Sequence, residues 1–350
     1  MIDSDLKLGD FLKGLRAAPW IALDTEADSL HAYPEKVCLL QVSTPEGDEL
    51  IDPLSSINLG PLLETFGGHE LIMHGSDYDL RLLRKHHDFV PRAIFDTMLA
   101  SRLLGEREFG LTNLVSKYLN VTLDKGSQKA DWARRPLTPR MEEYARNDTR
   151  FLRPVRDLLT YQLKEKHRLK WLEESCQRLI QDCAVPSTPD PETVWRVKGS
   201  HVLSRAGLAI LREIWQWRET EAVRANKPPY FVLSHESLVD IARAVSEERS
   251  FALPRHFSSR RADALHHAIT IAQTLPPQQH PHPLRSLPRR QTEEERRRFE
   301  QLQKRRDKHA AELGIDPTLI ASRATMLQLA QDFEGHRKEL MHWQRELLEE

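Results

Sequence analysis

Residues 20–52, WIALDTEADSLHAYPEKVCLLQVSTPEGDELID, decide the fold. Residues 20–24, 37–43 and 48–52 have the length and apolar content of strands. The connections between them are short and carry turn punctuation, Pro34 in one and the Pro45–Gly47 segment in the other. Three successive strands joined this way form an antiparallel meander. Downstream, residues 61–66 (PLLETF) read as a helix and residues 70–75 (ELIMHG) as a buried strand. Residues 76–87 (SDYDLRLLRKHH) read as a helix with Ser76 as N-cap, and residues 94–96 as a further short strand. After Asp96 the apolar spacing becomes helical, in TMLASRLLG and LTNLVSKYLN. Thr138 and Pro139 start another helix, with Glu142 and Glu143 in its positive first turn, expected to run to about Lys166.

A meander followed by mixed helices and strands predicts an α/β domain over residues 1–183. Its mixed sheet is flanked by helices, in the ribonuclease H-like manner. Residues 184–202 open with AVPSTPDPET and read as a linker. From there the pattern predicts all-α domains over 203–280 and 281–350, with a second proline-rich break at 276–288. A helix ending at Lys227-Pro228-Pro229 is followed by one capped by Ser234 and another after Ser258. The two helical segments form a weak internal repeat at an offset of 88 residues. It aligns Arg218 with Arg306, Pro229 with Pro317, Ser234 with Ser322 and Ala242 with Ala330.

The bulk numbers agree with two or three domains: 350 residues, 39% hydrophobic and 29% charged. Apolar runs fall short of the roughly 18 residues of a membrane span. The acidic N-terminus lacks the basic start and apolar core of a signal peptide. The three cysteines form neither a CxxC pair nor a zinc set, so free thiols in a reducing cytoplasm are expected. Lys and Arg number 51 against 52 Asp and Glu, which excludes a uniformly basic nucleic-acid binder. The basic stretch 289–310 has acids interleaved and reads as a solvated helix face. No GxxxxGK[ST] loop is present, so no nucleotide cofactor is expected.

The chemistry is carried by separated carboxylates. Asp24 and Glu26 are two apart at a strand edge, so both face one way. Asp79 lies near the start of a helix after a buried strand. Tyr144 and Asp148 are four apart on a confidently read helix and share a face. Each fragment alone has an ordinary reading, a solvated turn or a surface pair. Together they have the order and spacing of a cage for two divalent ions, Mg²⁺ or Mn²⁺, the apparatus of phosphodiester hydrolysis. Four gathered carboxylates repel and raise one another's pKa, and cations offset that repulsion.

These fragments resemble the DEDD family of 3′–5′ exonucleases in its tyrosine-bearing branch: DTE first, the Asp after HGSDY second, Tyr-x₃-Asp third. AYPEKVCLLQVS, FDTMLASRLLG and the long stretch from LTNLVSKYLN to NDTRFLRP extend the resemblance to the ribonuclease D family. RANKPPYFVLSHESLVDIARA resembles its HRDC module, and residues 281–350 a second, divergent one. The resemblance implies that Asp24, Glu26, Asp79 and Asp148 hold two metal ions and that Tyr144 orients the attacking water. It implies release of 5′-mononucleotides from RNA with a free 3′ end, typically tRNA precursors, by a cytoplasmic protein favoured as a monomer. Leu30 and His31 are expected against the terminal nucleotide, and Lys125 and Gln128 near a phosphate. Asp77 reads as surface or substrate-facing, Asp96 as a structural acceptor, and Trp132, Trp215 and Trp217 as packing. A DNA-directed exonuclease and an inactive RNA-binding scaffold are the alternatives. The 2′-OH contacts that separate RNA from DNA are not legible in one sequence.

Overall fold

The computed structural model describes residues 1–124, 126–186, 188–254, 257–284 and 291–349. The chain divides into two compact units. The first comprises Met1–Ala27, Val37–Pro186 and Arg290–Glu350; the second comprises Asp28–Lys36 and Ser187–Arg289.

The first unit holds a five-stranded mixed sheet in the order β3-β2-β1-β4-β5. The strands are β1 (Ile21–Ala27), β2 (Val37–Thr44), β3 (Gly47–Ile51), β4 (Glu70–Met73) and β5 (Ala93–Asp96). The expected meander is present: β1 pairs antiparallel with β2, and β2 with β3, while β4 and β5 add in parallel. Every residue of β2 is buried, so this strand has layers on both faces and shows no polar alternation. β1 is longer than its apolar run, extending to Ala27, so Asp24 is mid-strand rather than at its end. Regular pairing breaks between Glu26 and Ala27, where the register shifts.

Eight helices surround the sheet: α1 (Asp5–Leu15), α2 (Gly60–Gly67), α3 (Asp77–His87), α4 (Thr97–Leu103), α5 (Leu111–Leu119), α6 (Pro139–Arg150), α7 (Leu152–Glu165) and α8 (Leu169–Ala184). Thr138 caps α6 through the Met141 N–H at 3.3 Å. The single helix expected from Pro139 to about Lys166 is two, broken at Phe151 (φ −96°, ψ −2°). Pro154 explains the break: it has no N–H for the Arg150 carbonyl, and its ring crowds that carbonyl. Ser76 occupies the N-cap position of α3, but its hydroxyl does not cap; it donates to Asp96 Oδ2 at 2.9 Å.

The second unit is built from α9 (Arg205–Ala225), α10 (Pro229–Val232), α11 (His235–Ser246) and α12 (Ser259–Thr274). Leu211, Ile214, Trp217, Leu238, Ile241 and Leu265 form its core, with Trp215 packed at the edge. Ser234 and Ser258 cap α11 and α12 as the sequence implies. The proline-rich segment before α9 is more than a tether, because Trp195 and Val197 are buried in this core.

The chain then returns to the first unit as α13 (Glu293–Leu313), α14 (Pro317–Ile320), α15 (Arg323–Gln331), α16 (Phe333–His336) and α17 (His342–Glu349). Phe299, Leu302, Met326 and Trp343 share one core with Leu163, Leu172 and the sheet residues. Trp343 stacks on Trp171 at 4.8 Å, and Arg168 donates to the Leu103 and Leu313 carbonyls at 2.7 Å each. At Gly105 (φ +92°) an added Cβ would meet the Gly314 carbonyl oxygen at 2.1 Å, so only glycine permits this approach.

The 88-residue repeat is visible in the backbone. α9 and α13 coincide end to end at that offset, as do α10 and α14. Buried Arg218 donates to the Leu233 carbonyl, and buried Arg306 makes the matching bond to Ala321. Ser204 and Thr292 cap the long helices, and Asn226 and Gly314 end them in the left-handed conformation.

Candidate active site

β1 delivers Asp24 and Glu26 from one face of the sheet. α6 packs on β1, β2 and β3 and delivers Tyr144 and Asp148 from one side of its barrel. A carboxylate oxygen from each of Asp24, Glu26 and Asp148 lies within 4.8 Å of the others. Asp79, buried in the first turn of α3, joins differently. Thr25, whose side chain alternates away from Asp24 and Glu26, donates its hydroxyl to Asp79 Oδ1 at 2.5 Å. Asp79 therefore lines the same cleft but stands beside the three-oxygen cluster rather than within it.

The cleft has a volume of about 430 Å³. Besides these residues its lining includes His74, Asn113, Asp124, Gln128 and Asn147, and among the described residues no lysine or arginine. That absence governs the electrostatics. Burial, then the charges of Asp79, Asp148 and Glu26, push Asp24 well above the ordinary aspartate value. Burial, then Asp148 and Asp79, does the same to Glu26. Asp148 is pushed up to about 7 by burial and by Asp79. Asp79 is pushed up to about 6, chiefly by burial, with the Thr25 hydrogen bond opposing the rise. Burial and the same carboxylates hold the Tyr144 hydroxyl protonated, so it is available as a donor. Its ring packs against buried Trp132 at 5.9 Å, which gives Trp132 the packing role its sequence context implies.

Asp96 is structural, as expected. It accepts from the backbone N–H groups of Gly75, Ser76, Met98 and Leu99, tying β4 to the start of α4. Asp77 is exposed and paired with Arg81. Gln128 reaches the cleft. Lys125 lies outside the described residues. Leu30 and His31 belong to the second unit, where the Leu30 carbonyl accepts from the Tyr230 hydroxyl at 3.4 Å.

His74 lines the cleft and was not among the residues singled out from sequence. Thr97 donates its hydroxyl proton to the Met73 carbonyl, so His74 Nδ1 carries the proton shared with Thr97 Oγ1 at 2.9 Å. Burial lowers its pKa and keeps the ring neutral, with Asp96 opposing. The available signal was its place in HGSDYD, directly after β4. Gln41, which pairs across from Asp24, is also buried, with neither amide atom hydrogen-bonded.

Residues 1–164 match the model of a 3′–5′ exonuclease family, and residues 207–250 match the HRDC domain. The structure is similar to that of Escherichia coli RNase D, described as an exoribonuclease involved in structured RNA processing. The TM-score is 0.77 at 27% identity, covering 100% of this chain and 98% of the other. A ribonuclease D of Gluconacetobacter diazotrophicus is 30% identical over 79% of this chain and 72% of its own length. Another, from Xanthomonas oryzae pv. oryzae, is 30% identical over 98% of this chain and 94% of its own. The chain belongs to the ribonuclease D family. As a ribonuclease D family member it is a 3′–5′ exoribonuclease, with RNA as its substrate. No helix among the described residues is long and apolar enough to cross a membrane.

The cleft fits the metal ions that this family's chemistry implies. Its clustered donors are carboxylate oxygens, the ligands hard divalent cations prefer, and among the described residues no cationic side chain lines the cleft to neutralise them.

Proposed function

We propose that this nuclease removes 5′-mononucleotides stepwise from free RNA 3′ ends, with tRNA precursors as its substrates in the cytoplasm. The observation that carries this reading is a half-buried cluster of repelling carboxylates with no cation among its described neighbours. Two divalent ions, Mg²⁺ or Mn²⁺, would be held by Asp24, Glu26 and Asp148 at one side and by Asp24 with Asp79 at the other. When bound, they supply an activated water and neutralise charge at the scissile phosphate. Tyr144, kept protonated beside the cluster, orients the attacking water by donating a hydrogen bond. Thr25 fixes which oxygen of Asp79 faces the cleft. Gln128 and Lys125 approach the substrate's phosphate, and Leu30 and His31 bear on the terminal nucleotide.

In this reading residues 1–183 supply the nuclease, 184–202 the link, and 203–280 an HRDC-like module. Residues 281–350 supply a second, divergent one. The similarity to an E. coli enzyme of structured RNA processing supports a structured substrate.

The test is a time course on 5′-labelled RNA and DNA of one sequence, with free or blocked 3′ ends, in Mg²⁺, in Mn²⁺ and in EDTA. The expected result is a ladder receding from free RNA 3′ ends, absent in EDTA and in Asp24→Asn. Calorimetry of the protein with Mg²⁺ alone, without RNA, reports the site independently. Equal shortening of DNA would replace RNA with DNA as the preferred substrate. Tight RNA binding without shortening would leave only a scaffold.

A further inference from the structure

β4 and β5 run parallel, and their last paired residues are Met73 and Asp96. The next residues, His74 and Thr97, therefore leave the sheet side by side. His74 lines the cleft that holds the four carboxylates. Its backbone is held in place. Gly75 turns in the left-handed conformation (φ +63°), and Asp96 accepts from the Gly75 and Ser76 N–H groups at 3.2 and 2.8 Å.

The imidazole ring is held as well. Thr97 is fully buried and takes no part in the cleft lining. Its hydroxyl donates to the Met73 carbonyl at 3.1 Å, so toward His74 Nδ1 at 2.9 Å it can only accept. That fixes the tautomer: Nδ1 carries the proton and Nε2 carries a lone pair. With the Nδ1 edge spent on buried Thr97, the edge left to face the cleft is the one that carries Nε2. Among the described residues Nε2 has no hydrogen-bond partner. Burial lowers the pKa of the ring, which keeps that nitrogen an acceptor.

A metal ion and a donor on the substrate are the two occupants that suit a lone pair here, and the metal fits less well. Asp24, Glu26 and Asp148 bring oxygens within 4.8 Å of one another, and no His74 nitrogen joins that group. Hard divalent ions also prefer oxygen. On the RNA, phosphodiester oxygens carry no proton and cannot donate. Base N–H groups differ among the four bases. Every ribonucleotide, by contrast, carries a 2′-OH, and every free 3′ end adds a 3′-OH. A contact that serves each round of shortening must use a group that each round presents.

We propose that His74 is a specificity-determining substrate contact: its Nε2 accepts a hydrogen bond from a ribose hydroxyl at the 3′ end of the bound RNA, and Thr97 fixes the tautomer that allows it. This inference rests on the reading of the cleft as the site of 3′-end shortening. An acceptor held in place and left without its donor costs more than a satisfied one gains, so the contact selects against strands that lack the hydroxyl.

The test uses the full chain in Mg²⁺ with 5′-labelled strands of one sequence. One is all-ribo, one is 2′-deoxy at the last nucleotide, one is 2′-deoxy at the nucleotide before it, and one ends in a 3′-deoxy sugar. The rate of the first cut, as kcat/KM, is scored for each modified strand against the all-ribo one. The hydroxyl that His74 contacts is the one whose penalty in the wild type, about tenfold, vanishes in His74→Phe. His74→Phe fills the volume without the lone pair. It should slow the all-ribo strand about tenfold and leave the strand lacking that hydroxyl within about twofold. His74→Ala removes the same lone pair with nothing to overpack and should give the same pattern. His74→Gln keeps an acceptor and should retain part of the preference. Thr97→Val frees the tautomer and should lose part of it. Asp24→Asn, which should not turn over RNA, lets the same ratios be read as Kd by fluorescence anisotropy, with and without His74→Phe. A wild type that cuts all three modified strands like the all-ribo one overturns the contact. So does an equal slowing of every strand by His74→Phe and His74→Ala, which would assign His74 to the water or the metal instead. No shortening by the wild type, with Kd ratios that depend on His74, would overturn the nuclease reading and keep the contact.

Discussion

The two units bury carboxylates in opposite ways. In the second unit Glu221 is 5% exposed, and its oxygens take Arg260 at 2.8 and 2.6 Å and Arg261 at 3.4 Å. The Arg260 hydrogen bond holds its pKa below the usual glutamate value. In the first unit Asp24, Glu26, Asp79 and Asp148 share a cleft whose described lining contains no arginine or lysine, and all are pushed up. A paired acid is neutralised within the fold and has little left to offer a ligand. Acids left facing one another store unfavourable energy that a bound proton or an external cation relieves.

The largest expected effect is on turnover. Asp24→Asn should slow RNA shortening by about a thousandfold or more, while the metal-free protein melts higher because one repelling charge is gone. Glu221→Gln should leave turnover on a short single strand within a few fold. Comparable losses in both variants, measured in one assay, would end the contrast. Next comes metal: Mg²⁺ at about 100 times its Kd should stabilise the wild type by about 2.7 kcal/mol, and Asp148→Asn by much less. Equal thermal shifts in the two would place the ion elsewhere.

The pH dependence has opposite signs in the two regions. Asp148 moves from 3.8 to about 7 and Asp79 from 3.8 to about 6. Between those values the folded state binds more protons than the unfolded chain, so metal-free stability should fall as pH rises from about 4 to about 7. Glu221 is lowered from 4.5, so its contribution is present above that value and is lost as pH falls through its folded value. Melting scans in EDTA across pH 3–8 should show both limbs, and Asp148→Asn should flatten the upper one. An upper limb unchanged in that variant would remove the cluster as its cause. The smallest effect is Glu221→Gln itself, a loss of about 1 kcal/mol, reduced by solvent screening at half-exposed Arg260. Chemical denaturation with a probe at Trp217 would read it.

What the sequence disclosed followed local periodicity. Asp24 and Glu26 were legible because a strand repeats every two residues, and Tyr144 with Asp148 because a helix returns after four. The 88-residue repeat was legible because caps and prolines recur in register. The Thr25–Asp79 bond was not, since it joins a strand side chain turned away from its neighbours to a helix 54 residues later. Nor was the pairing of Glu221 with Arg260, which lies 39 residues on. The break at Phe151 was missed because a strong start at Thr138 outweighed Pro154. The burial of Trp195 was hidden by the prolines around it.

The second unit interrupts the first along the chain, and this has a consequence for the order of synthesis. Residues such as Phe299, Leu302 and Trp343 are translated after the whole of α9 to α12, yet they close a core opened by residues from Ile2 onward. While the ribosome is still making the helical insert, the carboxylates of the cleft are already joined in one polypeptide but the core of the first unit lacks the side chains of α13 to α17. The nascent chain therefore holds every acid of the cleft before it holds every side chain of the core around the sheet.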